Sequence, residues 1–138
     1  MPHTGGKIEL RERSFVAGDR RINYAQGPRN GPALVLVHGG SARWQHWLPL
    51  ATDLASTTHV FAPDLRGHGR SSWMPHQYRL VDFAADLEAF LEGVVRSRSV
   101  LVGHSLGGEV ALIVAANRPD LVRGVIDEDG PISAEVAR

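Results

Sequence analysis

The five residues Gly103-His104-Ser105-Leu106-Gly107 constrain the fold of this chain more than any other stretch. They follow the apolar run Ser99-Val100-Leu101-Val102 directly and open a second apolar stretch that Asn117-Arg118-Pro119 stops. The spacing predicts a strand over 99–103, a tight turn, and a helix over about 106–117. A serine at the apex of such a turn takes strained backbone angles, so its neighbours two positions away must be small. Gly103 and Gly107 meet that demand, and Gly108 permits close packing of helix on strand. The turn lifts the Ser105 hydroxyl above the carboxyl end of the strand, the edge at which open α/β sheets bind ligands. The helix aims its amino-terminal dipole at the same point and favours negative charge there. The competing reading is a glycine-rich turn without chemistry.

The rest of the chain repeats the alternation of strand and helix. Apolar residues alternate at Ile8 and Leu10 and again at Ile22 and Tyr24, with Gly18-Asp19 between them, which predicts an antiparallel hairpin over 8–26. The run Ala33-Leu34-Val35-Leu36-Val37, ended by Gly39-Gly40, suits a strand covered on both faces. A helix follows at about 44–55 with Leu48 and Leu54 turned inward, then a short strand at His59–Ala62. Leu80, Phe83, Ala84, Leu87, Phe90 and Leu91 carry a helical period over 78–93. A last strand is predicted at about 123–128. The order β-α-β-α-β-α-β after the hairpin predicts an α/β fold, a mostly parallel sheet with helices on both faces. No internal repeat or linker divides the 138 residues, so a single domain over 1–138 is expected.

Two further loops follow predicted strands. His38-Gly39-Gly40-Ser41 leaves the strand 33–37. A tetrahedral acyl-transfer intermediate needs two preorganised N–H donors for its oxyanion; Leu106, just past the serine, supplies one and Gly40 in this loop the other. His38 is read as a brace for the loop rather than a base. Asp64-Leu65-Arg66-Gly67-His68-Gly69-Arg70-Ser71 leaves the strand at 59–62. A dinucleotide reading of Gly67-x-Gly69 fails because Ser72 stands at the third glycine and no long helix opens there. Asp64 and Arg66 are expected to make local polar contacts in a structural loop.

With HGG, DLRGHGRS and GHSLGG each following a strand, the sequence resembles the α/β-hydrolase superfamily from about residue 8 to residue 131. The resemblance implies Ser105 as nucleophile, Gly40 and Leu106 as oxyanion donors, no cofactor and no metal. It also implies that a lid and further strands belong to the complete fold, so that this chain is a truncated α/β-hydrolase domain. Serine rather than aspartate at position 105 argues against the dehalogenase and epoxide-hydrolase branches. Ester, thioester, amide or C–C hydrolysis and cofactor-free perhydrolysis remain as reactions.

In that family the triad runs Ser, then acid, then His, yet all seven histidines precede Ser105. A hydroxyl without a base is a weak nucleophile near neutral pH. Asp129, at the end of the last predicted strand, is a candidate acid set against the simpler reading of a solvated acidic turn. Asp127 falls inside that strand, where the sequence offers no account of a carboxylate. Trp44 and Trp47 are candidates for the pocket mouth or for packing, with packing favoured for Trp47.

The totals bound the rest. Fifteen basic and fifteen acidic residues leave no net field toward nucleic acid, an anionic membrane or a polyanionic substrate. There is no cysteine and hence no disulfide or thiolate site. The opening MPHTGGKIELRER lacks the apolar core of a signal peptide, and no run reaches membrane-span length, so a cytoplasmic location is expected. The expected partner is a small-molecule substrate. An unpaired strand at the end of the sheet leaves self-association open and predicts a marginally stable chain. Two other classes compete with a serine hydrolase: a non-catalytic binding or receptor protein on the same scaffold, and an inactive fragment.

Overall fold

The computed structural model describes residues 8–130. The first seven residues of the opening read for a signal peptide, and Pro131 where the family resemblance ends, lie outside them.

Six strands form one sheet in the order β1-β2-β4-β3-β5-β6. They are β1 Arg11–Ala17, β2 Arg20–Gln26, β3 Ala33–Val37, β4 His59–Pro63, β5 Ser99–His104 and β6 Val122–Glu128. β1 and β2 form the expected hairpin, with Gly18 at φ 63° in its turn, and β2 joins β4 antiparallel. From β4 onward the sheet is parallel. Strands joined by helical crossovers can pair only this way, and their continuous apolar runs suit burial on both faces.

Helices cover both faces. On one lie α2, Leu80–Phe90, and α3, Leu106–Asn117. Phe83, Leu87, Phe90 and Leu91 pack there with Val110 and Val114 against Val35, Val37, Phe61 and Leu101 of the strands. On the other, Trp44, Trp47, Ala51 and Ala55 pack on Leu36, Val60, Ala62 and Val102. Both tryptophans are thus core residues, not parts of a pocket mouth.

Three local expectations need correction. β1 begins at Arg11, so Ile8 and Leu10 lie ahead of the hairpin, where they pack on the Trp44–Trp47 side of the core. The predicted helix at 44–55 is a 3₁₀ turn, Trp44–Trp47, followed by α1, Leu48–Leu54. The tighter turn rotates the helical phase, so Trp44, Trp47 and Ala51 face inward and Leu48 is 38% exposed. α2 ends at Phe90 and continues as a widened turn, Leu91–Val95, closed by Arg96 in the left-handed region at φ 58°.

Candidate functional site

β3 and β5 run parallel with Val37 opposite Gly103, so the loops that follow them leave the same edge of the sheet. Ser105 joins β5 to α3 at φ 53° and ψ −114°, the strained bend expected from sequence. A hydrogen bond from the Ser105 N–H to the Glu128 carbonyl, 2.9 Å, ties the bend to β6. The Ser105 carbonyl accepts from the Gly108 and Glu109 N–H groups at 2.9 and 3.2 Å and starts the helix.

The glycines around the bend are required by contact. A Cβ at Gly107 would run into the Val37 and His38 carbonyls, and one at Gly103 into the Gly107 and Gly108 backbone. A Cβ at Gly39 would stand 2.9 Å from His104 Nδ1 and 3.5 Å from Ser105 Cβ, so the first glycine loop packs directly beside the serine. Gly40 lies at the exposed tip of that loop with open space where a side chain would go. Leu106 occupies the first position of α3, where an N–H has no partner within its own helix.

His38 is fully buried. The Leu65 N–H donates to its Nε2 at 2.9 Å, and its Nδ1 reaches the Gly39 carbonyl at 2.7 Å. Burial lowers its pKa to about 4, so the ring is neutral and locks the 38–40 loop to the 64–71 loop. His68 makes a similar link: the Ser41 N–H donates to Nε2 at 3.1 Å, and Nδ1 pairs with the Arg66 carbonyl at 2.9 Å. Both rings are committed at both nitrogens, so each is a brace and neither is free to act as a base.

The contacts of Asp64 and Arg66 reach much further than a local loop. The Asp64 carboxylate is buried and accepts from Asn23 Nδ2 at 2.8 Å, the Trp44 N–H at 2.8 Å and the Arg70 N–H at 3.1 Å. Gly69, at φ 51°, leaves room for it. Arg66 grips Asp86 of α2 with two N–H groups, both at 2.7 Å, and Asp86 also pairs with Arg20. The Asp86 hydrogen bonds raise the Arg66 pKa and fix its charge. No helix opens after Gly67-His68-Gly69, in keeping with the rejection of a dinucleotide loop.

Asp129 immediately follows β6, exposed, at φ 56°. Its carboxylate, that of Glu128 and a His104 ring nitrogen lie within 4.8 Å of one another. Asp127 gains an account that the sequence could not give. It pairs in register with Gly103, its Oδ1 accepts from the Gly130 N–H at 3.1 Å, and it fills the space left by the missing Cβ of Gly108. An open cavity of about 710 Å³ lies beside the first two loops, lined by Gly40, Ser41, Arg43, His46, Gly67 and His68.

No helix among the described residues is long and apolar enough to cross a membrane. Comparison with known proteins places this geometry in a family. The model for the alpha/beta hydrolase fold matches residues 32–133. The chain is 35% identical to epoxide hydrolase 4 of Mus musculus over 109 residues, 77% of this chain and 30% of that protein. It is 35% identical to a haloalkane dehalogenase of Bradyrhizobium diazoefficiens over 122 residues, 86% of this chain and 38% of that one. Among solved structures, E-2-(acetamidomethylene)succinate hydrolase superposes with a TM-score of 0.80 at 32% identity, covering 85% of this chain and 43% of that one. The chain thus spans about a third of the length of these curated relatives. With three glycine loops at one sheet edge and a family match over most of its length, this chain belongs to the α/β-hydrolase fold family.

Proposed function

We propose that this chain carries the nucleophile and oxyanion-binding part of a serine hydrolase acting on an ester, thioester, amide or related carbonyl. The observation that carries the reading is the bend at Ser105, φ 53°, between a buried strand and the first turn of α3. Ser105 Oγ would attack the carbonyl carbon, and the N–H groups of Gly40 and Leu106 would hold the oxygen as charge develops on it. The helix dipole of α3 adds to that stabilisation. Asp129 is the candidate acid, one of two carboxylates, with Glu128, that lie close to His104 at this edge. With His38 and His68 engaged as braces, the proton acceptor is proposed to be a histidine later in the order Ser, acid, His, as the family resemblance implies. Serine at the bend favours carbonyl hydrolysis over dehalogenation or epoxide opening.

A fluorophosphonate probe tests this reading on the protein at its native length. One probe per chain on Ser105, abolished by Ser105→Ala, is the expected result. A folded native-length protein that takes no label would overturn it and leave a binding role for the scaffold.

A further inference from the structure

The far end of the sheet carries a second concentration of chemistry. A cavity of about 670 Å³ opens where the parallel strands begin, among the loops leading into β3, β4, β5 and β6. Arg29, His59, Arg96, Arg98 and Arg123 line it, and no aspartate or glutamate among the described residues does. Among the described residues these four cavity arginines have no carboxylate within 4.0 Å, as is also true of Arg11, Arg13, Arg21 and Arg43; what sets the four apart is that they line one hollow. The equal totals of acidic and basic residues therefore hide a local separation of charge.

The backbone favours this convergence. Arg96 closes the turn after α2 at φ 58°, its N–H bonded to the Leu91 carbonyl at 2.8 Å. Glycine is the usual occupant of such a left-handed position, which an L-side chain rarely takes. Arg123 sits at the irregularity where Ser99 pairs with Val122 and Val100 with Gly124, an extra residue in β6. Arg98 is steadied by a hydrogen bond from Nε to the Pro119 carbonyl at 3.2 Å. The pKa of His59 is lowered by burial and by the charge of Arg29, as expected of a ring in a positive field.

We propose that this cavity is a binding site for a small ligand bearing two or more phosphate groups, held by Arg29, Arg96, Arg98 and Arg123. Guanidinium groups match phosphate oxygens in pairs, and four of them on one hollow exceed what a single phosphate can engage. The volume falls in the range of small-molecule sites. A recess lined by one sign of charge also concentrates counter-ions. The strands run from this cavity toward Ser105, so the ligand sits at the opposite end of the sheet and is distinct from any carbonyl substrate.

Isothermal titration of the full chain with tripolyphosphate at about 150 mM salt tests the site. Saturable one-to-one binding is expected, weakening with added salt, with orthophosphate at least about tenfold weaker. Arg96→Gln with Arg98→Gln, and separately Arg123→Gln, should each lower affinity by about tenfold or more. Arg70→Gln, an exposed arginine outside the cavity, should leave it unchanged, with circular dichroism verifying the fold of each variant. No saturation up to about 10 mM would overturn the proposal. So would equal losses in the Arg70 variant, or binding to phosphoinositide vesicles or RNA without binding to free tripolyphosphate.

Discussion

At φ 53° and ψ −114°, Ser105 holds a conformation that costs a non-glycine residue about 1–3 kcal/mol. The cost is offset by packing that only glycine permits nearby. Gly107→Ala would press a methyl group into the Val37 and His38 carbonyls and should destabilise the chain by about 1–3 kcal/mol, read from the urea midpoint. Gly40→Ala meets open space and should leave that midpoint unchanged. His38 sets a pH dependence. Its folded pKa of about 4 lies below the unfolded value of 6.5, so between these values the unfolded chain binds the extra proton. Stability from this ring is complete above pH 6.5 and falls by about 3 kcal/mol as pH drops to 4. His38→Gln should flatten that part of a stability–pH curve; an unchanged slope would reassign it to other groups.

The elements depend on buried links between distant parts of the chain. Asp86 on α2 holds Arg66, whose side chain is 6% exposed, and Arg20 of β2. Asp86→Ala would strand a buried guanidinium and should cost about 3–5 kcal/mol in an equilibrium unfolding measurement, whereas Asp86→Asn retains a hydrogen-bond acceptor and should cost less. This is also where sequence reading reached its limit. The strand runs, the Ser105 bend and the α2 period were legible because each is written in neighbouring residues. The Asp64 hub joins Asn23, Trp44 and Arg70, and no local pattern announces such contacts. Leu48 faces outward because a 3₁₀ turn ahead of Pro49 shifts the helical phase, a change invisible to a period of 3.6. Asp127 made sense only once Gly108 was known to lie over it.

Across the whole molecule the two sheet edges are built differently. β1 begins with Arg11, Glu12 and Arg13, charges that discourage pairing with another strand. β6 presents Gly124-Val125-Ile126, with Ile126 59% exposed. With zero formal net charge there is little long-range repulsion between copies. The chain of 138 residues should therefore self-associate through β6 at high concentration and melt over a broad range. Ile126→Lys should shift sedimentation velocity toward the monomer; a sharp monomeric transition at high temperature in the parent chain would contradict both expectations.

The first glycine loop meets the Ser105 bend through Gly39, and the braces that hold it lie beneath, at His38 and His68. Arg43 and His46 border the open cavity without belonging to that framework. The rim is therefore replaceable while the frame is not. Libraries randomised at 43 and 46 should yield mostly folded proteins, whereas libraries at 38 and 68 should not, a contrast read by circular dichroism of the purified variants.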